Sequence, residues 1–578
     1  MRRFGLASGA IALNFGLLGG VLVALGGCGD DSGAEAGTAS SAEGVSTTVP
    51  DTSSGEGNTA EQGDGDGDTG PGDGDGDGDG DPGDGDGEPI KFDMSLPDTS
   101  DQPPPDLCKV VDDMNAVGEC EESAPPDAFV PELQWAFTDN AEPYSYVTPL
   151  VANFTDDDDN GEIDLCDIPD VVLVAASNPG PPSVTGHIFL LSGADGSLHF
   201  RINDPVDSSF TPALGDIDND GLVEIVTVSP SGNLMAFEHT GELAWSTPTT
   251  WDIGESFGQD LRYSNSAALA DVDNDGDVEI ITANMLFDHQ GALLHKFPQP
   301  SGQWGATTAA DLDNDEDLEI VLGNAAYHHD GTALWTTNLA SGYPQVADLD
   351  EDGLPEVILT NVNGISLIEH NGVVTYSNLR PTGVGAFGTN WLRPATIHDF
   401  DGDGFPEFAT SSASQYTVYE PDATIVWTAP VNDSSGIAAG TAFDFVAAGK
   451  AQAMYADQDN MFVFDGDGNV LLQQSRKSGT LSEYPVVVDV DNDGSAEILV
   501  VSNQHNGGGD PCIQVIKDVE DRWIQARRIW NQHSYHVTNV REDGTIPQFE
   551  APAWEGLNTF RTNAQIEGGG LCMPPPAN

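Results

Sequence analysis

Basic residues are scarce in this 578-residue chain: 18 Lys and Arg stand against 96 Asp and Glu, a formal net charge of −78. Nucleic acids and anionic lipid surfaces both require basic patches, so neither is an expected partner. Long apolar runs are missing as well. The stretch from Ile11 to Leu25 is short and glycine-rich for a membrane span. Cysteine is limited to six positions. No set of residues has the spacing of a transition-metal site, a phosphate-binding loop or a catalytic dyad. Acidity of this degree suits an exported protein loaded with cations, because bound divalent ions offset part of the self-repulsion.

What the chain does have is one acidic loop, D-x-D-x-[DN]-G-x-x-[DE], repeated seven times and followed each time by a short apolar run. The copies begin at Asp156, Asp216, Asp271, Asp311, Asp348, Asp399 and Asp489, and a degenerate copy begins at Asp444. Oxygen ligands at alternate positions of a tight turn suit a hard cation such as calcium. In the second copy Asp216, Asp218 and Asp220 can converge on one point, Gly221 permits the positive φ of a sharp turn, and Glu224 closes the shell. The closing acid stands at position 9 and leads into a strand-like run, whereas an EF-hand loop closes at position 12 ahead of a helix. The corresponding sets are Asp156, Asp158, Asn160 and Asp164; Asp271, Asp273, Asp275 and Glu279; Asp311, Asp313, Asp315 and Glu319; Asp348, Asp350, Asp352 and Glu356; Asp399, Asp401, Asp403 and Glu407; Asp489, Asp491, Asp493 and Glu497. In the fourth copy Glu316 replaces the glycine, which predicts a strained or different turn. At Asp444 the ligand positions carry Val446, Ala448 and Gln452, so that unit is expected to keep its fold without an ion. The expected load is up to seven Ca2+ ions.

Each loop is preceded by a short segment ending in its first Asp, such as TPALGD or SAALAD. Each is followed by a β-rich run, a hairpin signal and another strand, often ending in Trp, as at Trp245, Trp335 and Trp427. That makes four short strands per unit. Loop starts lie between 37 and 60 residues apart, a period that suits propeller blades. Phe257-Gly258 followed by the Asp271 loop, and Phe387-Gly388 followed by the Asp399 loop, resemble FG-GAP (VCBS-type) repeats, the calcium-bearing blades of integrin α-subunit propellers and of many bacterial surface proteins. The resemblance spans roughly residues 130–540. It implies an all-β propeller of four-stranded blades with calcium in a loop between adjacent strands. Eight units are counted here; integrin propellers have seven blades, and both numbers stay open. The Trp tails also faintly resemble those of quinone-dependent dehydrogenase propellers, but Trp packing between blades explains them better.

Residues 1–27 read as a secretory signal: Arg2-Arg3, the apolar stretch, then Leu25-Gly-Gly-Cys28, a lipobox. The pattern implies cleavage before Cys28, lipid attachment to it, and a bacterial envelope protein held on the outer membrane or cell surface, since Gly29 is not the Asp of inner-membrane retention. Residues 28–106 are Ser-, Gly- and Asp-rich, and are expected to form a disordered, solvated stalk. Residues 107–578 are assigned to the propeller and a C-terminal tail. Of the five remaining cysteines, Cys108 and Cys120 are close in sequence. Cys166 and Cys512 lie in the first and last units, which become neighbours when a propeller closes. Disulfides with one thiol left over are expected.

Two further candidates carry little. Gly254-Glu-Ser256-Phe-Gly258 matches a nucleophile-elbow pattern without the strand and helix that motif needs. The cluster Arg527-Arg528-Ile-Trp530-Asn-Gln-His533-Ser-Tyr-His536 offers two histidines for a metal or pocket, but is expected to be the last strand and its closing turn. The reading is an exported, lipid-anchored calcium-binding propeller acting as a cell-surface binding or adhesion module for an extracellular protein or glycan, not an enzyme. The alternatives are a propeller-based hydrolase or quinone-dependent oxidoreductase, and a structural envelope protein.

Overall fold

The computed structural model describes residues 107–577, apart from 112–113, 115–116, 126, 179–184, 251–265, 299–305, 382–393, 434–436 and 505–506. The signal segment, Cys28, the stalk, Ser256 and both Phe-Gly pairs lie outside the described residues. Among the described residues the fold is all-β, and seven antiparallel sheets of four strands and one of five account for the repeat. The second sheet shows the pattern: Ala213–Gly215, Glu224–Val228, Asn233–Phe237 and Leu243–Thr250, paired in sequence order. The first strands of successive sheets are Leu150–Ala152, Ala213–Gly215, Ala267–Ala270, Thr308–Ala310, Tyr343–Ala347, Thr396–His398, Gly440–Phe443 and Val486–Val488. They touch one another in series from the first sheet to the eighth. The first sheet carries an extra short strand, Val206–Asp207.

Burial grades outward along each sheet. In the third sheet the first three strands are wholly buried, while Leu293–Lys296 is mostly exposed. A strand covered on both faces by neighbouring sheets has no polar side to show, which is why these runs are apolar throughout rather than alternating. The outermost strand is amphipathic, and its aromatic residue sits on the hairpin glycine of the next sheet. A Cβ on Gly291 would lie 2.5 Å from Trp245, one on Gly372 2.6 Å from Trp335, and one on Gly468 2.7 Å from Trp427. The packing role expected of these Trp residues is what the structure shows.

The ring closes by a device the repeat pattern did not reveal. The eighth sheet has only three strands of its own, Val486–Val488, Glu497–Val501 and Ile513–Asp518; its outermost strand is Pro131–Phe137, from before the first repeat. Trp135 of that strand donates to the Gly193 carbonyl at 2.6 Å and packs on Gly196 of the first sheet. Two disulfides tie down the same end of the chain: Cys108–Cys166 and Cys120–Cys572. Cys512, one of the four cysteines singled out for disulfides, is instead a free, fully buried thiol at the edge of the strand Ile513–Asp518. Cys572 takes its place as the second partner of the N-terminal segment.

The segment expected to be a last strand and closing turn has another place. Residues 526–563 run through the centre of the ring and bond to every sheet in turn. Val151 bridges to Trp530, the Leu214 amide donates to the Asn531 carbonyl, and the Leu269 amide to Gln532 Oε1. Ser534 meets the Thr307 carbonyl, Asn558 the Asp348 amide, and Phe560 bridges to Ile397. Thr441 donates to the Arg561 carbonyl and Asn563 to the Val487 carbonyl. Trp530, Arg527 and Arg561 are almost wholly buried in this plug. His533 and His536 have different partners. The His533 ring packs edge-on against Tyr484, and burial, with Arg561 adding to it, holds its pKa well below the usual imidazole range. His536 bonds Glu550 through Nε2 at 2.6 Å; burial lowers its pKa, but the Glu550 carboxylate more than offsets that and leaves it raised.

Candidate metal loops

Every acidic loop joins the first strand of a sheet to its second, and in six of the seven the closing acid is the first residue of the second strand. Glu224, Glu279, Glu319, Glu356, Glu407 and Glu497 all begin strands. The backbone holds the carboxylates from behind. In all seven copies the N–H at position 6 donates to the second carboxylate oxygen of the first Asp, at 2.8–3.1 Å. In six, the closing Glu accepts the position-2 N–H through Oε2 at 2.7–3.1 Å, as in Ile217 to Glu224.

The other oxygen of the closing Glu is the one that bears on ligand binding. Oε1 of Glu224, Glu356, Glu407 and Glu497 is buried without a hydrogen-bond partner, on residues no more than 2 % exposed. An unpaired buried carboxylate oxygen is costly unless a proton or a cation meets it. Burial, with the loop aspartates adding to it, pushes Glu224, Glu279 and Glu356 up to about 8 and Glu407 to about 9. Oxygen ligands with an inward-facing unsatisfied anion fit a hard divalent cation. In the sixth copy Asp399, Asp401, Asp403 and Glu407 already bring one oxygen each within 4.8 Å of one another.

The first copy departs from expectation. Asp164, read as its closing acid, turns its carboxylate to the Cys166 amide at 2.9 Å. The closing place is taken by Asp167, fully buried, which accepts the Asp157 amide at 2.8 Å and converges with Asp156 and Asp158. The cause is an insertion: Asn153, not Asp156, follows the first strand, and Asp170 fills the strand-start position that Glu224 has in the second sheet, accepting the Phe154 amide at 3.0 Å. The acidic loop is thus displaced outward and draws its last acid from position 12.

Two left-handed residues shape each loop. Position 6 is the expected one, with Gly221 at φ +88°. Position 4 went unread, although Asn219, Asn274, Asn314 and Asn492 stand there at φ +57° to +65°, and Asn is the side chain that tolerates this region best after Gly. These asparagines also stitch neighbours together: Asn219 donates to the Gly276 carbonyl, Asn274 to that of Glu316, and Asn492 to that of Asp167. Glu316 keeps the common turn at φ +79°. A Cβ at Gly221 would meet nothing within 4 Å, so glycine is wanted there for its backbone freedom alone. Glu316→Gly should therefore stabilise the protein by about 1 kcal/mol, raising the melting temperature by about 1 °C. A drop in a thermal melt would contradict this.

The degenerate copy folds as expected, with its own sheet from Gly440–Phe443 to Val470–Ser475. Gln452 accepts the Phe445 amide at 2.9 Å, as a closing Glu would, but carries no charge; Asp444 accepts the Gly449 amide at 2.7 Å. Asp444 thus serves as a turn former here.

The description FG-GAP-like repeat matches residues 216–282 and 348–410. Among solved structures, the Vibrio cholerae biofilm matrix protein Bap1 superposes with a TM-score of 0.65 at 20 % identity, covering 77 % of this chain and all of that one. The rhamnogalacturonan lyases YesX (TM-score 0.47, 15 % identity, 78 % of this chain, 83 % of that one) and YesW (0.48, 14 %, 77 % and 83 %) are likenesses too weak to carry an argument. No curated protein matches the chain in sequence. The fold is that of a β-propeller, and two stretches of it match FG-GAP-like repeats.

Proposed function

We propose that this protein is a calcium-loaded propeller that binds an extracellular protein or glycan, held at the bacterial surface by a lipid on Cys28. The observation that carries the reading is the set of buried closing glutamates whose inward oxygens lack a partner. They support a divalent ion in each complete loop, which makes the loop face a rigid, cation-dependent platform. The centre of the ring, where a propeller enzyme would hold substrate, is filled by the plug around Trp530 and Arg561, and that favours recognition through loops over chemistry in a channel. The likeness to a biofilm matrix protein bears on fold only.

A screen of the full chain against bacterial polysaccharides and surface proteins tests this. Saturable binding in millimolar calcium, abolished by chelator, is expected; substrate turnover without stable binding would overturn it. Cys28→Ala should move the protein from the membrane to the soluble fraction on cell fractionation. A variant that stays in the membrane would show another attachment.

A further inference from the structure

The fourth loop differs from its siblings in a way that changes its chemistry. In the second, third, sixth and seventh sheets the residue after the third strand is an acid, Glu238, Asp288, Glu420 and Asp465, and in the fifth sheet the third strand itself ends on one, Glu369. Two of these face the closing glutamates, since Glu369 and Glu420 add repulsion at Glu356 and Glu407. In the fourth sheet the third strand is Ala325–Tyr327 and the next residue is His328. Its Nδ1 lies 2.9 Å from Oε1 of Glu319, the oxygen left without a partner in Glu224, Glu356, Glu407 and Glu497. One ring nitrogen of His328 and one carboxylate oxygen each from Asp313 and Asp315 lie within 4.8 Å of one another. The two aspartates are exposed and the imidazole half-buried, so an ion has access from solvent.

We propose that the fourth loop is a mixed nitrogen–oxygen site, formed by His328, Asp313 and Asp315, that takes a borderline divalent transition metal such as zinc in preference to calcium. Calcium has little affinity for imidazole and takes oxygen ligands. Zinc and its neighbours bind imidazole and carboxylate together, at affinities set by ligand type. The His328–Glu319 contact gives the imidazole a carboxylate partner of the kind that orients ligating histidines. The strained Glu316 turn keeps Asp313 and Asp315 in register with the other loops, so the exchange of an acid for His328 is what alters the donor set. This inference rests on the reading of the loops as cation sites.

The test is metal content of the full chain after dialysis against micromolar zinc in millimolar calcium, by elemental analysis. The wild type should retain one zinc per chain. Removal of an outer-shell partner usually costs 10–100-fold in affinity, so removing a ligand in His328→Ala or Asp313→Asn should weaken zinc at least about tenfold while calcium at the other loops is unchanged. His328→Glu, which restores the acid of the sibling sheets, should exchange that zinc for calcium. Zinc held equally by His328→Ala, or no zinc beside normal calcium uptake, overturns this proposal alone. Uptake of neither metal would overturn the cation reading of all the loops.

Discussion

Removing divalent cations with a chelator should lower the melting temperature by about 10 °C. An ion that binds only the folded chain contributes RT ln(1 + [L]/Kd). With ~1 mM calcium and Kd ~0.1 mM, within the range of extracellular modules, each loop adds about 1.4 kcal/mol and seven add ~10 kcal/mol. Unfolding about 470 residues carries an entropy of ~1 kcal/mol per kelvin, which converts that sum to ~10 °C. The effect should grow with pH. In the cation-free fold Glu224, Glu279 and Glu356 titrate near 8 and Glu407 near 9, against an ordinary 4.5. A carboxyl raised in the folded state gives its full contribution below about pH 4.5 and loses it as pH rises through the folded value. The chelated protein should therefore melt progressively lower from about pH 5 to about pH 8. The calcium-loaded protein, in which the cation meets the carboxylates, should not show that fall. Superimposable melts with calcium and with chelator would contradict the loop assignment.

Truncating the chain after Glu520 should abolish cooperative folding, because it removes the central plug and Cys572 together. Trp530 is fully buried, stacks on Tyr535 at 4.4 Å between ring centroids and meets Tyr484 edge-on. Replacing a buried Trp by Ala costs about 3–5 kcal/mol through lost transfer energy and the cavity left behind. For a chain of this size Trp530→Ala should lower the melting temperature by about 3–5 °C, with calcium uptake intact, since Trp530 lies in the plug rather than in an acidic loop. A shift under about 1 °C would show that the plug is peripheral to stability.

Much of this architecture was legible because it repeats. Four acids per loop must recur wherever a cation is to be held, so Asp216, Asp218, Asp220 and Glu224 announce themselves beside six sibling sets. The Trp245 and Trp335 positions recur because each sheet packs on the next in the same way. What does not repeat was hidden. Strand Pro131–Phe137 has a readable alternation, but its partner Ile513–Asp518 lies hundreds of residues away and no local signal joins them. The plug around Trp530 and Arg561 has neither helical nor strand period, because its hydrogen bonds, from backbone and side chains alike, are made one at a time to eight different sheets. Asp167 was obscured by the insertion that moved the first loop off its strand. Spacing could not choose among the cysteines: the nearest pair, Cys108 and Cys120, diverges to Cys166 and Cys572.

Counting bound calcium per chain by equilibrium dialysis, for the wild type, Asp220→Ala and Asp444→Asn, tests the central claim most directly. Asp220 belongs to a complete loop, whereas Asp444 sits above Val446, Ala448 and Gln452, which offer a cation no carboxylate. The account predicts at most seven ions on the wild type, one fewer for Asp220→Ala, and no change for Asp444→Asn. An unchanged count for Asp220→Ala, or an ion lost with Asp444→Asn, would contradict it.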